Sequence, residues 1–157
     1  NLDIDILINN AGVFLQGNIL TEKDGQLEHL MDTNLLSAYY ITRALAPKMQ
    51  RKQFGYIFNM CSIASLAPYP NGSSYCISKF ALLGFSRCLR EELKQDNVKV
   101  ISILPGATWS NSWAGANLPY ERLMAPEDIA KVVSTQLKMS PSAVIEEIIL
   151  RPQKGDL

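Results

Sequence analysis

The sequence predicts an α/β fold built on a parallel sheet with crossover helices. Four short β-rich runs alternate with three segments of helical character, the order that strand, crossover helix and parallel strand impose. Three of the runs end in small or polar residues, Asn-Asn-Ala-Gly, Met-Cys-Ser and Leu-Pro-Gly, at the strand ends where such sheets bind ligands. No internal repeat, low-complexity tract or linker divides the 157 residues, so they read as one domain.

The first strand lies in DIDILINNAG (3–12), where Ile4, Ile6, Leu7 and Ile8 form an apolar core that runs into a turn. A buried strand is expected there. Thr21 followed by Asp24 has the chemistry of a helix start, a hydroxyl to cap free N–H groups and a carboxylate near the positive end of the dipole. The helix is expected from about Glu22 to Gln50. GYIFNMCS (55–62) is the second strand, and IASLAPYPNGSS (63–74), with two prolines and an Asn-Gly pair, is a loop. A helix from Tyr75 to about Gln95 follows, apolar at Leu82, Leu83, Phe85, Leu89 and Leu93. Its FALLGF segment (80–85) is apolar on nearly every side, which predicts burial by more than one neighbour. VKVISILPG (98–106) is a third strand stopped by Pro-Gly. ATWSNSWAGANLPYERLMA (107–125) has weak periodicity and is expected to be a mobile loop. Pro126, Glu127 and Asp128 open a helix to about Met139, and AVIEEIILRP (143–152) is the fourth strand.

Fifteen basic residues balance fifteen acidic ones, so no global field draws the chain to nucleic acid or to an anionic membrane. Cys61, Cys76 and Cys88 lack the paired spacing of a zinc site or a redox C-x-x-C motif. Reduced thiols and no metal are expected. No charged leader with an apolar stretch opens the sequence, and no apolar run approaches the roughly 20 residues that span a bilayer. The expectation is a soluble, cytoplasmic protein. His29, the only histidine, is expected on the exposed face of the first helix, which leaves no basis for a histidine triad.

The chemistry concentrates in SSYCISKF (73–80). On a helix, residues four apart share a face, so Tyr75 and Lys79 can sit side by side. An ammonium fixed near a phenol favours the phenolate and lowers its pKa from about 10, which yields a general base usable near neutrality. Ser62, at the end of the second strand, can reach the same site and hydrogen-bond a substrate oxygen. Alone, that spacing is common, and its ordinary meaning is a half-buried tyrosine beside a solvated lysine.

The pieces in order reverse that weighting. NNAG (9–12), NLLSAYYITRALAP from Asn34, GYIFNMCSIAS (55–65), YCISK (75–79), LPGATWSNS (104–112) and APEDIA (125–130) resemble the later half of the short-chain dehydrogenase/reductase family over essentially the whole chain. The resemblance implies the second half of a doubly wound, Rossmann-like fold, with residues 1–157 as one partial dinucleotide-binding and catalytic domain. It implies an NAD(P)-dependent oxidoreductase that interconverts a carbonyl and an alcohol. Tyr75 would be the acid/base. Lys79 would lower its pKa and hold the nicotinamide ribose, Ser62 would polarise the substrate oxygen, and Asn34 would kink its helix and anchor a water of a proton relay. Asn9, Asn10, Ala11 and Gly12 would line the adenosine and ribose side of the cofactor. Pro105, Gly106 and Thr108 would face its nicotinamide, and Tyr75 and Lys79 would also touch it. The implied partners are a small carbonyl or alcohol substrate and a second or further copies of the chain, as a homodimer or homotetramer paired through the two long helices.

The sequence departs from that pattern at its start, which lacks the family's first strands and glycine-rich turn for the pyrophosphate. It also lacks the position that separates NAD from NADP, so either cofactor is compatible. A piece of a longer protein is expected, with an apolar strand edge exposed and little or no activity as an isolated polypeptide. A noncatalytic cofactor-binding protein and a helix-mediated interaction module are the alternatives. Cys61 stands where the family often has serine; it reads as a small buried thiol, or else as a point of thiol sensitivity. Trp109, Trp113 and Tyr120 either pack onto the body or wall an apolar substrate pocket.

Overall fold

The computed structural model describes residues 3–157. Strands β1 (Ile6–Asn9), β2 (Gly55–Met60), β3 (Val98–Pro105) and β4 (Glu147–Leu150) form one parallel sheet in sequential order. Helical segments connect them: α1 (Gln26–Met31), a π-helical turn (Asp32–Leu36) and α2 (Ser37–Lys52) between β1 and β2, α3 (Ser73–Leu93) between β2 and β3, and α4 (Pro126–Leu137) between β3 and β4.

Alternation along the strands decides which helices pack where. Leu7, Ile57 and Val100 stand in register on one face and bury themselves against Ala46 and Met49 of α2 and Leu89 and Leu93 of α3. Phe58, Ile101 and Ile103 point the other way, onto Ile129, Val132, Val133 and Leu137 of α4. Because α4 sits toward the β3/β4 side, Ile6 and Ile8 of β1 remain 41% and 46% exposed. The fully buried strand expected from this apolar run is thus covered on one face.

A ladder of polar side chains lies two residues beyond Leu7, Ile57 and Val100. Asn9, Asn59 and Ser102 are register neighbours on β1, β2 and β3. Asn9 Nδ2 donates to Asn59 Oδ1 at 2.8 Å and to Thr42 Oγ1 of α2 at 3.1 Å. Asn59 Nδ2 donates to Ser86 Oγ of α3 at 2.9 Å, and the Ser102 hydroxyl donates to the same oxygen at 2.7 Å. Among the described residues no buried side-chain polar atom lacks a partner. A satisfied buried network of this kind fixes registry, and here it locks α2 and α3 onto the sheet.

Several elements differ from the sequence reading for local reasons. The first helix begins at Gln26, because Asn18 closes its own turn through Leu20, Thr21 and Glu22 and Gly25 adopts a left-handed φ of 83°. Within FALLGF, Leu82 and Leu83 are buried while Phe80 is 42% exposed. The 107–125 segment is pinned at its base: Met124 N donates to Ala107 O, Trp109 N donates to Met124 O, and two 3₁₀ turns lie between. His29 is exposed, as expected.

Gly55 lets α2 approach β2 closely. A Cβ built there would meet the Cβ, Cγ and Sδ of Met49 at 2.7–2.8 Å. Gly55→Ala in the intact protein is expected to cost about 1–3 kcal/mol through overpacking, read as a lower urea midpoint at unchanged m-value.

Candidate active site

The chain leaves β2 through Cys61 and enters a 3₁₀ turn (Ile63–Ser65) that Ser62 caps. The Ser62 Oγ accepts from Ala64 N at 3.1 Å, while Ser62 N donates to Ser65 Oγ at 3.2 Å. This capping box immobilises a hydroxyl that would otherwise rotate freely. Ser62 Oγ also lies 3.5 Å from Pro105 O at the end of β3, so the ends of two adjacent strands meet at this side chain.

Tyr75 and Lys79 follow on the first two turns of α3. The Ser62 hydroxyl is near enough to the Tyr75 phenol to favour its ionised form, and Phe14, beyond β1, packs edge-on against the tyrosine ring at 4.9 Å. Lys79 is buried, at 6% exposure, with its Nζ 5.8 Å from the centre of the Tyr75 ring and 2.9 Å from the Met60 carbonyl, to which it donates. The lysine of this pair is therefore held beneath the site and not solvated.

Asn34 sits in the π-helical turn between α1 and α2. Such turns widen a helix by one residue and re-aim its side chains. Asn34 Oδ1 accepts from Val13 N at 2.7 Å, and its Nδ2 donates to Val13 O at 3.0 Å and to Ser78 Oγ at 2.9 Å. Ser78 in turn donates to Tyr75 O at 2.7 Å. Gly12 lies between Asn34 and Lys79: a Cβ there would stand 3.3 Å from Asn34 Oδ1 and 3.6 Å from Lys79 Nζ. Asn34, Ser62, Tyr75 and Lys79 thus converge at the carboxyl ends of β1 and β2.

Electrostatically, burial dominates. It raises the Tyr75 pKa, opposed by the Ser62 hydroxyl and assisted by Cys76 and Cys61. It lowers Lys79 to about 8, with Cys61 opposing, and pushes the Cys61 thiol up to about 11, with Lys79 opposing. The expected depression of the Tyr75 pKa by Lys79 is not found: burial of the phenol is the largest influence, and Lys79 is not among the groups that shift it. Cys61 is a buried, protonated thiol.

The other residues singled out in the sequence divide. Asn10, Ala11 and Gly12 are exposed at the end of β1, whereas the Asn9 side chain turns inward to Thr42 and Asn59. Pro105, Gly106 and Thr108 form the half-buried exit of β3, with Thr108 Oγ1 donating to Gly106 O at 3.0 Å. Gly106 also makes room for the C-terminal segment, since a Cβ would meet Asp156 Oδ1 at 2.6 Å. Trp109 stacks on Tyr120 at 6.0 Å and donates Nε1–H to its carbonyl, so these two pack on each other within the 107–125 segment. Ser78, Ser65 and Phe14 were not singled out. Ser78 could have been found one residue before Lys79 in YCISK, whereas Phe14 carries no local signal.

A donor count tests the fit of a nicotinamide dinucleotide. An ammonium has three protons to donate, and among the described residues the hydrogen-bond acceptor for Lys79 is the Met60 carbonyl alone. Its further donors suit ribose hydroxyls, and the small exposed Ala11 and Gly12 beside it let a ligand approach the backbone.

A family model described as short chain dehydrogenase matches residues 2–120. The chain is 39% identical to the sepiapterin reductase of Chlorobaculum tepidum, an alignment that covers 98% of this chain and 64% of that protein. It is 34% identical to the 3-oxoacyl-(acyl-carrier-protein) reductase FabG of Haemophilus influenzae, over 84% of this chain and 59% of the relative. Among solved structures, the closed form of serine dehydrogenase complexed with NADP+ is similar with a TM-score of 0.84 at 29% identity, covering 94% of this chain and 64% of its own. The chain spans 64% and 59% of the length of the two curated relatives.

Proposed function

The chain belongs to the short-chain dehydrogenase family, and from that premise we propose that it carries the catalytic centre of an NAD(P)-dependent oxidoreductase that interconverts a carbonyl and an alcohol. The observation that carries this reading is the convergence of Asn34, Ser62, Tyr75 and Lys79 on one spot at the strand ends. The cofactor supplies or accepts the hydride, which no protein side chain can carry.

The protein's own residues handle the proton. Tyr75, protonated at neutral pH because burial raises its pKa, donates to the carbonyl oxygen during reduction and takes the proton back during oxidation. Ser62, fixed by its capping box, orients that oxygen by a hydrogen bond. Lys79, together with Asn10, Ala11 and Gly12, would hold the ribose side of the cofactor, and Pro105, Gly106 and Thr108 would lie toward its nicotinamide. Asn34 and Ser78 brace Tyr75 from behind.

The test is oxidation of NADH and NADPH by the intact protein against a panel of carbonyl compounds. Cofactor oxidation that requires a carbonyl is the expected result. Tight cofactor binding with no turnover on any member, in either direction, would overturn the reading in favour of a noncatalytic binding protein.

A further inference from the structure

The loop between β1 and α1 reaches across to the start of α3. Gly17 N donates to Asn71 O at 2.8 Å, and Ser73 N donates to Gly17 O at 3.2 Å. Beside these backbone bonds lies a side-chain clasp: the buried Ser74 hydroxyl donates to Glu22 Oε1, and Gln26 Nε2 donates to Glu22 Oε2 and to Gln16 O, each at 3.2 Å. Helix α3 has no side-chain N-cap of its own, since Gly72 occupies that position. The Glu22 carboxylate, accepting from the Ser74 hydroxyl, places a negative charge at the positive end of the helix. Tyr75 is the residue after Ser74, and Phe14 of the same loop rests on its ring.

We propose that Glu22 is a positioning residue: joined to Ser74 and Gln26, it clamps the Phe14–Gln26 loop onto the first turn of α3 and so holds the Tyr75 phenol against Ser62. The inference rests on the oxidoreductase reading for its catalytic consequence, but the clamp itself does not. Glu22 acts through Ser74 and the helix backbone and touches no reacting atom. Gly17 belongs to the same device, because a Cβ there would collide with the Gln26 amide and stand 2.6 Å from Glu22 Oε2.

Two measurements on the intact protein test it. In Glu22→Ala, kcat for carbonyl reduction is expected to fall ~10-fold at near-constant KM and cofactor Kd, as a small misplacement of a catalytic group should produce. Ser74→Ala should match it, and the double variant should lose no more than either single one. Glu22→Gln, which keeps an acceptor for Ser74, should recover most of the rate. The second measurement, backbone hydrogen exchange over residues 73–77, should quicken in Glu22→Ala and Ser74→Ala relative to the rest of α3. Unchanged kcat, strictly additive losses, or exchange that stays unchanged in both variants would each overturn the proposal. If the unsubstituted protein reduces no carbonyl compound, the oxidoreductase reading fails and the catalytic part of this proposal with it. The exchange data then decide the clamp by themselves.

Discussion

Tyr75→Phe is expected to abolish most carbonyl-dependent cofactor oxidation by the intact protein, with kcat down by about a hundred-fold to ten-thousand-fold, the usual contribution of a positioned general acid. The substitution is clean because the ring is held by Phe14 and the backbone by Ser78, neither of which depends on the phenol oxygen. Phenylalanine keeps the ring contacts, so cofactor Kd and the circular dichroism spectrum should be unchanged. A loss in kcat without a matching change in Kd identifies a group used in the transition state. The pH dependence follows from the raised Tyr75 pKa. The phenol is the protonated form at neutral pH, so reduction should run there without hindrance, whereas oxidation needs the phenolate and its rate should climb as the medium turns alkaline. A variant that retains wild-type kcat would remove Tyr75 from the mechanism.

The parts of this molecule that were legible in the sequence are those with a local pattern. The four strands and their parallel order follow from apolar runs broken by helical periods, and Tyr75, Lys79 and Ser62 stand out because motif spacing places them at strand ends and on one helix face. Asn9 shows a signal that was present and outweighed. It is two residues after Leu7, so strand alternation alone assigns it to the buried face, where the structure has it, bonded to Asn59 and Thr42. Glu22 shows the opposite. Local rules assign an acidic residue near Thr21 to a helix start, but its partner Ser74 is 52 positions away, and no window of sequence contains both. The burial of Lys79 is equally nonlocal, since it depends on the end of β2 delivering the Met60 carbonyl and on Gly12 closing over the ammonium.

That nonlocal burial has a thermodynamic signature, best read in Lys79→Met. The Lys79 pKa falls from 10.5 to about 8 because burial penalises its charged form. Between pH 8 and 10.5 the unfolded chain therefore binds a proton that the folded chain has released, and stability contributed by this group rises with pH across that window. Below pH 8 both states are protonated and the full cost of the desolvated ammonium is present. At about 1.4 kcal/mol per unit, the rise amounts to about 3 kcal/mol. Methionine has similar length and no charge, so relative to the variant the intact protein should gain stability from pH 8 to 10.5 and show a flat difference below pH 8. The slope is the diagnostic, because the offset also contains the lost hydrogen bond to the Met60 carbonyl. Cys61, raised to about 11 with Lys79 opposing, titrates near this range and loses that opposition in the variant, so the comparison is made in a Cys61→Ser background that removes it. In the same variant cofactor Kd should rise and kcat should drop, since the ammonium is what the proposed ribose contact requires. Urea unfolding at fixed temperature from pH 7 to 10.5 checks the first half, and cofactor titration checks the second. A difference that does not change with pH would mean that Lys79 titrates near its ordinary value, and the buried ammonium would no longer be a cost that the fold carries for the sake of the site.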